Sequence, residues 1–166
     1  MNRAKEVVIL AFLSSLLTVG KFALSGIPNI EIVTFLFILY TVVFGVRRTL
    51  IIAFVFTTIE IMIWGLGIWT IGYYLFWPLL IGLTAMLPKP LQHVWGYTML
   101  SGAFGFFFGL LFAIYSAPIT NISIWLYWMN GIMFDVVHMV GNVIVMLVLY
   151  VPGRRGLQLV ANRLKA

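Results

Sequence analysis

Trp128, Gly131, Asp135, His138 and Asn142 follow one another at intervals of 3, 4, 3 and 4 residues, the spacing that gathers side chains on one face of a helix. That face would carry an aromatic platform, a glycine that permits close approach, a carboxylate, an imidazole and an amide. Asn130 stands one position off the stripe. The set reads as the wall of a polar binding pocket. The structural alternative is that Asp135 and His138 satisfy each other, or Lys21, between helices.

Matching residues recur elsewhere. Glu60 and Trp64 are four residues apart, and Trp69, Tyr73 and Trp77 repeat at the same interval with Tyr74 beside them. Aromatic faces stack on flat heterocycles, while a carboxylate and an imidazole can read hydroxyl groups or ring nitrogens. Asn29 and Glu31 complete the candidate binding set.

Catalysis finds little support. The chain has no His-Glu-x-x-His, no Gly-x-Ser-x-Gly and no phosphate-cradling glycine loop. It has no cysteine, so disulfides, thiolate metal sites and thiol nucleophiles are excluded. His93 stands alone, and one histidine with carboxylates makes a poor zinc site. The expectation is a protein that is not an enzyme and holds no metal or cofactor of its own.

Hydrophobic residues make up 63% of the 166 residues and charged residues 8%, against about 25% charged in a soluble domain. The excess apolar surface must face lipid. Six apolar runs occupy 7–24, 30–46, 49–66, 68–87, 94–117 and 124–151, followed by a basic tail over 152–166. No small-x-small cleavage site leads from the first run into a soluble domain, so that run is read as a retained helix. Arg3 and Lys5, Arg47 and Arg48, Lys89, and Arg154, Arg155, Arg163 and Lys165 fall at alternate junctions. Cationic loops stay in the cytoplasm. The prediction is an all-α, six-span bundle forming one domain in a bacterial plasma membrane, with both termini cytoplasmic. The net charge of +6 then belongs to lipid-facing span ends rather than to a nucleic-acid interface.

An ionisable group within a membrane costs about 2.5 kcal/mol or more unless paired or hydrated. Lys21, Glu31, Glu60 and Asp135 all fall in the predicted outer half, and the inner half is expected to lack buried charge, which argues against a continuous ion pathway. Two stripes read as packing surfaces: Ser101, Gly105, Gly109 and Ala113 on the fifth run, and Ala11 and Ser15 on the first, with Ser14 and Thr18 one position round.

At this point the chain resembles the substrate-binding S components of energy-coupling factor (ECF) vitamin transporters. The likeness covers the whole length, and "VVILAFLSSLLTVGK", "IPNIEIVTFLFILYTVVFG" and "YWMNGIMFDVVHMVGN" carry it most clearly. The family's first helix presents an Ala-xxx-Ala-like contact to a coupling subunit; here the positions are Ala11 and Ser15, so a serine replaces the second alanine. The resemblance implies capture of a vitamin or vitamin precursor from outside, then delivery through a transmembrane coupling subunit joined to two cytoplasmic ATPase subunits, which bind the ATP. The residues favour a pyridoxine-type or hydroxymethylpyrimidine-type molecule, with cobalamin as a rival. Two other classes stand beside this one: a self-sufficient carrier or channel, and a structural subunit whose acids join helices.

Overall fold

Apolar sequence with glycine and proline punctuation folds as helices joined by brief connections. The computed structural model describes residues 3–28 and 30–165. Among them there is no strand, and six α-helices run in order: α1 (Arg3–Leu24), α2 (Val33–Phe44), α3 (Val46–Trp64), α4 (Ile68–Met86), α5 (Val94–Thr120) and α6 (Ile124–Lys165). A 3-10 turn, Lys89–Leu91, lies between α4 and α5. Helices α1, α4, α5 and α6 are each long and apolar enough to cross a membrane, which marks a membrane protein.

Helix α2 is different. Its 12 residues span about 18 Å, short of the roughly 30 Å hydrocarbon core. It has no polar face, and a helix apolar all round belongs in an interior. Every residue from Val33 to Thr41 is buried, and α2 touches all five other helices. It is the hub of the bundle. Because it is short, its N-terminus begins below the surface, and Glu31 sits there.

Two glycines make the tight reversals. Gly45 (φ 82°) alone separates α2 from α3, and Gly65 (φ 85°) ends α3; both lie in left-handed space that favours glycine. Neighbouring helices therefore alternate in direction. Lys21 near the end of α1 meets Glu60 near the end of α3. Glu6 near the start of α1 meets Arg48 near the start of α3, at 2.7 Å. One end of the bundle carries the α1–α2, α3–α4 and α5–α6 connections (the loop end); the other carries the start of α1 and the last turns of α6 (the termini end).

Helices α5 and α6 form a close antiparallel pair. A Cβ added at Gly105 would stand 2.8 Å from the Asn142 amide nitrogen, and one at Gly109 would stand 2.4 Å from an Asp135 carboxylate oxygen. The small-residue stripe on α5 thus seats the polar stripe on α6. Gly109→Ala is expected to destabilise the protein by about 1–3 kcal/mol, the usual range for overpacking. A lowered melting temperature in detergent would register it, and an unchanged one would mean that the carboxylate has room to move.

Helix α6 runs through Pro152 for 42 residues, about 63 Å. The tail expected over 152–166 is thus, as far as Lys165, a continuation of the same helix. Proline removes one backbone donor, but Leu157, Val160 and Ala161 pack against the core beyond it and hold the helical path.

Candidate functional site

The α1–α2 connection and the buried start of α2 leave a partly open cavity of about 290 Å³ at the loop end. Helix α2 starts too deep to fill this end, so the α1–α2 connection folds over it. Leu24, Ser25, Ile27, Pro28 and Ile30 line it from that roof. Its aromatic wall is Tyr73 and Trp77 of α4 and Phe108 of α5; Lys21, Glu31 and His138 supply the charged and polar groups.

The wall is a continuous aromatic cluster. Trp77 stacks on Phe108 with centroids 5.6 Å apart, and Tyr73 lies 5.2 Å from Trp77. Phe108 also meets the His138 ring edge-to-face at 5.2 Å. Trp77 is only 3% exposed, and its Nε1–H has no hydrogen-bond partner. A buried N–H without an acceptor is costly.

The polar groups are tied between helices. Glu31 accepts the backbone N–H of Thr34 at 2.9 Å, capping the first turn of α2 where the helix dipole favours a negative charge. Its other oxygen lies 3.2 Å from His138 Nε2. With Nε2 donating to this carboxylate, Nδ1 is the acceptor nitrogen of the ring. Glu60 is buried and ion-paired with Lys21, whose ammonium sits 5.0 Å from the ring centroids of both Trp69 and Tyr73.

The α6 stripe divides between two surroundings. His138 reaches the main cavity. Asp135 lies beside it in an adjoining second cavity of about 210 Å³, which His138 lines as well, together with Phe108, Trp128 and Gly131. Both Asp135 oxygens are engaged: one accepts the Gly109 backbone N–H at 3.0 Å, the other accepts Trp128 Nε1–H at 2.9 Å. Asp135 and His138 therefore do not pair, and Lys21 serves neither. Asn142 is buried against α5, donating to the Ser101 carbonyl at 3.2 Å, and lines neither cavity. Asn130 is exposed and apart from both. Trp64 is 53% exposed and lies beside a small cleft with Lys21 and Glu60, outside the main cavity. Asn29 falls outside the described residues.

Sequence spacing had not singled out Phe108, although Phe104, Phe108 and Phe112 recur every four residues on the α5 face that packs on Tyr73, Phe76 and Trp77. The roof residues had no periodic signal, because they lie in a connection.

On α1, Ala11 and Ser15 are exposed, whereas Ser14 is fully buried against α3 and Thr18 is half-buried. The Ser15 hydroxyl turns back to the Ala11 carbonyl at 3.0 Å, so this outer face is small and without a free donor.

Fold and site together define an all-helical membrane protein with an aromatic-walled cavity at one end of its bundle. Compared with known families, curated proteins and solved structures, the chain matches none.

Proposed function

We propose that this chain is the solute-binding subunit of an ECF-type importer, a six-span bundle with both termini in the cytoplasm and the loop end facing outward. The observation that carries the binding role is the 290 Å³ cavity, walled by Tyr73, Trp77 and Phe108, with Glu31 and His138 as its polar edge. Its volume is at the lower end of the roughly 300–1,000 Å³ of small-molecule sites. That suits a single-ring heterocycle such as pyridoxine or hydroxymethylpyrimidine and disfavours the far larger cobalamin.

The polar edge of the ring would meet the His138 imidazole and the Glu31 carboxylate, and its flat face would lie against the aromatic wall. Orientation rests on charge: nine of the ten Lys and Arg residues fall at the termini end or in the connections beside it, leaving only Lys21 at the loop end. The small face of α1 at Ala11 and Ser15 would receive the coupling subunit, whose two attached ATPases supply the energy.

Mass spectrometry of the small molecule released from purified protein tests this reading, followed by titration with pyridoxine and hydroxymethylpyrimidine read by tryptophan fluorescence. Trp77→Leu keeps the wall apolar and removes the stacking face. It is expected to weaken binding about tenfold, the worth of one aromatic contact at about 1.4 kcal/mol. Equal affinity in the variant would remove Trp77 from the recognition scheme.

A structural role is the second reading, favoured by the fact that Glu6, Glu31, Glu60 and Asp135 each have a protein partner. It predicts that the purified chain binds none of these solutes and that Glu31→Gln lowers only the melting temperature.

A further inference from the structure

The termini end holds a charged group that solute capture does not use. Arg154 lines a cavity of about 320 Å³, together with Thr41 of α2, Gly45 at the α2–α3 turn, Thr84 of α4, Gln92 and Tyr97 of α5. A guanidinium has five N–H donors. Here one of them has an acceptor, Nη1 donating to the Tyr150 hydroxyl at 3.2 Å, while Nε is closed off from solvent without a partner. The Tyr150 ring lies 5.9 Å below the guanidinium and stacks on Tyr97 at 5.5 Å, so the cation is held in place from beneath.

Among the described residues no carboxylate lines this cavity. Glu6, the acid at this end, is occupied by Arg48. A partly buried cation without a counter-charge is costly. Helix ends of both signs meet here: Val46 begins α3, whose first-turn N–H groups are positive, while Thr41 and Thr84 stand in the last turns of α2 and α4, whose carbonyls are negative, so no helix end stands in for a full counter-charge. Hydroxyl competition is low: Thr41 and Thr84 donate to carbonyls of their own helices. Among the described residues no charged group at this end is fully buried, but Arg154, expected in a tail, is half-buried with its Nε shielded.

We propose that this cavity is a second site, independent of the solute site, which binds a phosphate-bearing anion through the fork of Arg154. Planar guanidinium groups match phosphate oxygens two at a time. The cavity lies where the helices end, the depth of lipid headgroups, so the phosphate belongs either to an anionic phospholipid or to a free solute.

The test uses the full chain, delipidated in neutral detergent, with three probes: phosphatidylglycerol, diacylglycerol and inorganic phosphate. Native mass spectrometry is expected to show phosphatidylglycerol bound at least tenfold more tightly than diacylglycerol. Arg154→Gln should abolish that preference and Arg154→Lys should reduce it, while Arg155→Gln, which removes the same charge at an exposed neighbour on α6, leaves it intact. Displacement of the lipid by millimolar phosphate supports the site with a free anion as its ligand; failure to displace supports it with a headgroup. Equal binding of the two lipids, or equal loss in the Arg154 and Arg155 variants, overturns the proposal. If Arg154→Gln does not fold, Arg154→Lys and Arg155→Gln decide it.

Discussion

Glu31→Gln in the purified chain is expected to weaken solute binding on the order of 100-fold, through loss of about 3 kcal/mol of charged hydrogen bonding. The reasoning starts from position. Glu31 precedes a helix too short to reach the surface, so its carboxylate is held below the roof of the cavity, 17% exposed. One oxygen caps α2 through Thr34, and the other faces His138 Nε2. Glutamine keeps the volume and can still accept the Thr34 N–H, so α2 stays in place. It removes the fixed negative charge that orients the imidazole and would meet a donor on the solute. The check is a titration with the co-purifying solute beside a melting curve. Lost affinity with a melting temperature within a few degrees of the parent supports a binding role. A lowered melting temperature with unchanged affinity supports the structural reading instead.

The second large effect concerns assembly. Ala11→Trp and Ser15→Trp should each leave solute affinity unchanged and reduce co-purification with a coupling subunit by roughly tenfold or more, because small faces are what allow helices to approach closely. Both positions are exposed on α1, away from the cavity, so an indole there disturbs no internal contact. The control is Ser14, which looks equivalent by spacing but is buried with its hydroxyl bonded to the Leu10 carbonyl at 2.9 Å. A large residue at Ser14 should damage the fold itself. Retained assembly in both tryptophan variants would place the docking face elsewhere.

Particular residues show why part of this arrangement could be read from sequence and part could not. The apolar runs and their glycine and proline punctuation mark helices, because local chemistry decides where a helix stops: Gly65 ends α3 and Asn121, at φ 55°, ends α5. Pro152 misleads for the same reason. Its local effect is to end a helix, yet tertiary packing of Leu157, Val160 and Ala161 carries α6 onward.

Within α6, spacing places Asp135, His138 and Asn142 on one side, and all three are buried. Spacing says nothing about which neighbour each one meets. Asp135 and Asn142 turn to α5 because glycines and serine there let the backbones close. His138 turns to α2, finding Glu31 107 residues away in the chain. Such pairings depend on how helices are arranged around α2, which periodicity within a single helix does not encode. Lys21, Glu31, Glu60 and His138 gather at one end because burial without a partner is so costly, whereas Asp135 is satisfied by the N–H groups of Gly109 and Trp128.

The central claim is that the cavity under the α1–α2 connection holds a small flat solute without help from any other subunit. The most direct measurement is native mass spectrometry of the isolated chain, purified without partner subunits, compared with the Glu31→Gln variant prepared identically. The account predicts one bound small molecule per chain, released on denaturation and absent from the variant. A parent chain that carries nothing and takes up neither pyridoxine nor hydroxymethylpyrimidine, or a variant that retains the same mass, would contradict it.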